Sequence, residues 1–167
     1  MRRRAFIPLT GAAVLAGCGF QLRQPPRFAF DRVRIAGSEN TPVASALQRA
    51  LRLNGLQVLN SATPPGTAPA PVVLTVLTDQ RERAVVGQTA AGQVRELQLR
   101  TRFRFRLRTP AERILIDDTE LLLERDLSFN ETQVLSKAAE EDLLVRDMVD
   151  DIVQQVVRRL GAVELPA

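Results

Sequence analysis

The sequence predicts an α+β fold: a two-layer sandwich in which two helices pack on one face of a roughly four-stranded, mostly antiparallel sheet. Three observations predict it. Within residues 94–108, the stretch from Leu97 to Arg108 alternates apolar side chains (and Thr101) with polar ones, five of them arginine, at a period of two, the pattern of a strand buried on one face only. Residues 137–160 carry a broad apolar stripe at helical spacing. The order of elements, strand, helix, three strands, helix, gives every apolar surface a partner layer.

The first segment is not part of that fold. Met1-Arg2-Arg3-Arg4 is a positively charged start, and Ala5 to Ala16 is an apolar run too short to span a bilayer as a helix. Leu15-Ala16-Gly17-Cys18 follows, with small residues where a peptidase must close on the backbone and a thiol where a diacylglyceryl group is accepted. Residues 1–17 are therefore expected to be a lipoprotein signal peptide that is removed, leaving Cys18 as a lipidated amino terminus. Two or more acyl chains hold such a residue stably in a membrane. Gly19 replaces the aspartate that retains lipoproteins in the inner membrane, so the outer membrane is the expected location. Residues 18–30 read as a tether, kept extended by Pro25-Pro26.

The single domain is expected over 31–161, with 162–167 as a tail. Arg32-Val33-Arg34-Ile35 alternates as a first strand near 31–36. Thr41-Pro42 starts the first helix, the Thr hydroxyl capping and Pro filling the first helical position. Ala44, Leu47, Ala50 and Leu51 share one face, and Asn54-Gly55 ends the helix with Leu56 packing back. Leu56 to Leu59 is a possible short extended piece. Residues 60–71 hold four prolines and read as an exposed loop.

Val72 to Val86 is a long strand with Val72, Leu74 and Val76 on one face. Val94 to Arg108 sorts most cleanly. Leu97, Leu99, Thr101, Phe103, Phe105 and Leu107 fall on one side, and Gln98, Arg100, Arg102, Arg104, Arg106 and Arg108 on the other. Ile114 to Leu127 returns after a turn at 109–113. The last helix covers about 137–160, some 36 Å at 1.5 Å per residue. Its start falls between Asn130 and Ser136, and Gly161 stops it.

Composition narrows the chemistry. The chain has 167 residues, 45% apolar and 25% charged, enough for one core. Histidine, tryptophan and tyrosine are absent and cysteine occurs once, which excludes a His-ligated metal, a Ser-His or Cys-His nucleophile and an internal disulfide. The net charge of +4 includes Arg2, Arg3 and Arg4; without them 20 basic residues face 19 acidic ones, a poor balance for nucleic-acid binding. No cofactor motif and no catalytic constellation is present. The carboxylate pairs Asp117-Asp118 and Asp150-Asp151 have no histidine beside them.

The arginine row at 100, 102, 104, 106 and 108 is the most unusual feature. Guanidinium forks suit phosphate and carboxylate oxygens, so an anionic lipid headgroup is one reading. The other is an ion-pair ladder, because Asp118, Glu120, Glu124 and Asp126 on the returning strand share one parity. Lys137, the only lysine, stands at the start of the last helix.

The chain resembles the family of LPS-assembly lipoproteins, LptE. The likeness lies in Cys18-Gly19-Phe20-Gln21-Leu22-Arg23, with Gln21 where a His is often found, and in Leu51-Arg52-Leu53-Asn54-Gly55. It continues through Gln88-Thr89-Ala90, Glu124 to Asn130 and Glu140 to Met148. The proline-rich loop 60–71 falls outside the pattern. The resemblance implies an outer-membrane lipoprotein, not an enzyme, that acts with the LptD β-barrel as its plug and binds lipopolysaccharide. It makes Lys137, Arg100, Arg102, Arg104 and Arg106 the candidates for lipid A phosphates. Two other readings stay open: an auxiliary lipoprotein of a lipid-transporting ABC system, and a lipoprotein hydrolase.

Overall fold

The computed structural model describes residues 26–129 and 134–165. Cys18, the signal segment 1–17, the tether up to residue 25 and the tail residues 166–167 lie outside the described residues. The elements are β1 (Arg32–Gly37), α1 (Pro42–Leu53), β2 (Gln57–Leu59), β3 (Val72–Gln88), β4 (Val94–Arg108), β5 (Ile114–Ser128) and α2 (Val134–Gly161).

The predicted two-layer α+β sandwich is present, with five strands rather than four. The fifth is β2, whose three residues pair parallel with β1, Gln57 opposite Arg32. The sheet order is β2-β1-β3-β4-β5. It is mixed: β1 is parallel to both neighbours, while β3, β4 and β5 form an antiparallel meander. Helix α2 begins at Val134, inside the expected window, and extends through Gly161.

Strand β4 organises the core. Leu97, Leu99, Thr101, Phe103, Phe105 and Leu107 are all buried on its helix-facing side. Phe103 and Phe105 join Ile152, Val156 and Leu160 of α2 and Leu47 and Leu51 of α1 in the main cluster. Leu97 and Leu99 meet Leu127 and Met148 in a second cluster toward the far end of the meander. Glycine is needed at Gly37, where φ is +81° and a Cβ would stand 2.3 Å from the Val76 carbonyl oxygen. Gly55, at φ +87°, closes α1, and the Leu56 amide donates back to the Leu51 carbonyl at 3.0 Å, placing Leu56 in the core.

The cap of α1 differs from expectation. The Thr41 hydroxyl donates to the Ser38 carbonyl at 2.7 Å and makes no cap bond. Asp79 of β3 caps instead, its Oδ2 accepting from the amides of Val43 at 2.8 Å and Ala44 at 3.2 Å. A bulge at Leu77 puts Asp79 there. Val76 pairs with Phe105 and Thr78 with Arg104, so the residues after the bulge change faces and Asp79 lies opposite buried Phe103. The donors belong to fully buried residues beside the sheet, out of reach of water. A carboxylate there also complements the positive end of the helix dipole.

Replacing Asp79 with Ala leaves two buried amides unpaired, and is expected to lower unfolding stability by about 1–3 kcal/mol. Thr41→Ala should cost less than about 1 kcal/mol, since a typical exposed hydrogen bond is worth no more. Urea denaturation of the two variants checks the order; a larger loss at Thr41 than at Asp79 would assign the cap to the hydroxyl after all.

Candidate functional site

Among the described residues, no helix or strand covers the face of the sheet away from the helices, and β4 lays its arginines across it. This follows from the period-two alternation: burying the Phe and Leu set under the helices sends every intervening residue to the other side. Strand β5 returns beside β4 with Arg100 opposite Glu124 and Arg104 opposite Glu120.

The acids on β5 pair with the row. Arg100 Nε lies 2.8 Å from Glu124 Oε1, Arg102 3.5 Å from Glu120 Oε1, and Arg104 2.8 Å from Asp118 Oδ2. Arg106 stands 4.0 Å from the other oxygen of Asp118, and Arg108 pairs with Glu112 in the turn. Asp126 accepts instead from the Gln98 amide at 3.1 Å. Of the two readings of the row, the structure has the ion-pair ladder. Asp118 serves two arginines because a register shift between Phe105 and Leu107 adds a residue to β5 there.

Lys137 is not part of this row. Its ammonium donates to Ser128 Oγ at 3.0 Å and to Glu140 Oε2 at 2.8 Å, and its side chain is only 16% exposed. Ser128 is four residues beyond Glu124 along β5, roughly 13 Å past the end of the row at ~3.3 Å per residue. The structure therefore brings Arg100, Arg102, Arg104 and Arg106 together and places Lys137 apart, as a clamp between β5 and the first turn of α2. Cys18 lies outside the described residues.

Several residues that position this end of the molecule escaped the sequence reading. Arg83 reaches Glu141 of α2 at 3.6 Å, and its guanidinium lies 5.9 Å from the centre of the Phe129 ring. Arg125 reaches Asp151 at 3.4 Å. Arg83 faces the helices because of the bulge that also turns Asp79 inward. The signal was legible in the alternation, which runs on even numbers through Leu74 and Val76 and on odd numbers through Asp79 and Arg83.

Among the described residues, no three His, Cys, Asp or Glu side chains converge as a metal site. A shallow cavity of about 760 Å³ opens at the other end of the sheet, lined mainly by Phe28, Phe30, Pro69, Ala70, Pro71 and Leu165. It is largely apolar and lies away from Lys137.

Exposed ion pairs contribute little each, about 0.2–1 kcal/mol. Arg102→Gln with Arg104→Gln is thus expected to cost no more than about 2 kcal/mol in a urea melt. Phe103→Ala, on the same strand but facing the core, should cost about 3–5 kcal/mol. A double-Gln loss equal to that of Phe103→Ala would mean that the ladder, not the apolar face, holds β4 in place.

A family model described as "LptE: Lipopolysaccharide-assembly" matches residues 30–160. The LPS-assembly lipoprotein LptE of Pectobacterium atrosepticum is 30% identical over 165 residues, 96% of this chain and 86% of that protein. The protein of the same name from Photorhabdus laumondii is also 30% identical, over 169 residues, 96% of this chain and 87% of its own length. The solution structure of an uncharacterized lipoprotein B from Nitrosomonas europaea superposes with a TM-score of 0.71 at 32% identity, covering 86% of this chain and 91% of that one. With the match spanning the whole domain from the start of β1 to the last turn of α2, the chain belongs to the LptE family of lipopolysaccharide-assembly lipoproteins.

Proposed function

We propose that this protein is an outer-membrane lipoprotein, anchored through acylated Cys18, that seats in the lumen of an LptD-like β-barrel and takes part in lipopolysaccharide assembly at the outer leaflet. The observation that carries this reading is the open sheet face. Its arginines are neutralised in place by carboxylates of the adjacent strand. The lumen of an outer-membrane barrel is polar, and a face of paired charge can approach such a wall without burying an uncompensated ion. Family membership supports the same reading, because the relatives carry lipopolysaccharide assembly in their names. The role needs no catalysis: the protein fills and shapes a passage.

Lipopolysaccharide contact is assigned within this reading to Lys137 first and to the arginine row second. A phosphate arriving at Arg100, Arg102, Arg104 or Arg106 must displace a carboxylate that another strand holds in register. At Lys137, whose ammonium also donates to Ser128 Oγ, the one carboxylate to displace is Glu140, a half-exposed side chain one helical turn away.

Affinity purification of the tagged chain from outer membranes tests the partnership. One large β-barrel protein should co-purify in near-equal amount, and Cys18→Ser should abolish fatty-acid labelling and shift the protein out of the membrane fraction. Recovery without a barrel, or with inner-membrane transport proteins, would favour the ABC-system reading. For the lipid, Lys137→Asp should weaken lipopolysaccharide binding by about tenfold at low salt and less at high salt, as screening of a charge contact requires. Arg102→Gln with Arg104→Gln should change it less than about twofold, the scale of a weak exposed ion pair. Melting temperatures of both variants separate lost binding from lost folding.

A further inference from the structure

We infer that the outer edge of β5 is a strand-addition site for an extended protein segment whose alternate side chains are basic. The sheet has two edges. One is β2, three residues long; the other is β5, fifteen residues long and paired on one side only, with β4. Among the described residues, no strand lies along the outer side of β5. An unpaired edge of that length offers backbone donors and acceptors at the spacing a new strand requires.

The side chains of β5 specify the kind of segment. Glu120 and Glu124 each spend one oxygen, Oε1, on the arginine row, and Asp126 spends Oδ1 on Gln98. Among the described residues, their second oxygens accept no side-chain hydrogen bond. The side chains of Glu120 and Glu124 are 43% and 42% exposed, so both carboxylates can be reached from solvent. Asp118 differs, since both of its oxygens are taken by Arg104 and Arg106. The unspent acceptors thus cluster between residues 120 and 126, with Leu122 exposed in the same row.

A strand laid against this edge brings its side chains to within about 5 Å of those opposite, Cβ to Cβ. Basic residues at alternate positions would then meet Glu120, Glu124 and Asp126 from the side the arginines leave free. The intervening residues would extend the apolar surface of Leu121 and Leu123 on the helix side. A second copy of β5 does not fit, because antiparallel self-pairing sets one carboxylate row against another, and like charges directly opposite are destabilising. The same acids that close the edge to a copy of itself open it to a cationic strand.

The test uses the full chain in detergent micelles and an acetylated heptapeptide that alternates arginine with valine. Its control is the same peptide N-methylated at alternate amides, which keeps its charge and cannot form the ladder. The plain peptide should slow hydrogen exchange at amides of residues 119–127 and leave α1 unchanged. The N-methylated peptide should bind at least about tenfold more weakly, the loss of one or more net hydrogen bonds. Glu120→Gln with Glu124→Gln should weaken the plain peptide by a similar factor and reduce its salt dependence. Equal binding of the two peptides would overturn the inference, since charge alone would explain it, as would protection confined to other elements or no binding at all. The peptide comparison is made on the unaltered protein, so a variant that unfolds does not decide it.

Discussion

The alternation along β4 is the constraint on which the rest of the structure depends. A period of two over residues 97–108 leaves one solution: Leu and Phe under the helices, arginine on the open face. Sliding the register by one residue would bury five arginines and expose Phe103 and Phe105. Both neighbouring strands and both helices take their places from that choice. α1 and α2 cover the apolar side, and β5 comes to rest where its acids meet the arginines.

The two faces contribute differently. Burial of Phe103, Phe105, Leu99 and Leu107 supplies most of the stabilisation, at about 1.5–3 kcal/mol for each large apolar side chain. The ion pairs on the other face add little to stability. Their value is that they neutralise an exposed cationic surface in place. A row of bare arginines would repel itself and attract any polyanion; the paired row is a polar, nearly charge-balanced wall. That is the property a plug inside a hydrated barrel needs.

Much of this was legible in the chain. The boundaries of β4 match the sequence reading, and the ladder follows from the parity of Asp118, Glu120 and Glu124, because alternation is a local property that one strand displays alone. The Asn54-Gly55 stop was equally local. What was not legible depends on pairing between distant segments. Leu56 to Leu59 read as a short extended piece, but that Gln57–Leu59 joins the sheet as a fifth strand depends on β1 lying beside it. Asp79 replaces Thr41 as the cap because a bulge at Leu77 turns it toward a helix 35 residues upstream. Lys137 and the arginines were both candidates for lipid A phosphates, but sequence shows charge without direction; in the fold they stand apart, and Lys137 and Arg100 each already have an acidic partner.

The central claim is that the open, charge-paired face of the sheet lies against a protein wall. The most direct test is photo-crosslinking in the outer membrane with a benzophenone side chain in place of Arg102. The account predicts an adduct with one large β-barrel protein. Adducts carrying only lipid acyl chains, in a chain that still folds and still purifies with the barrel, would contradict it.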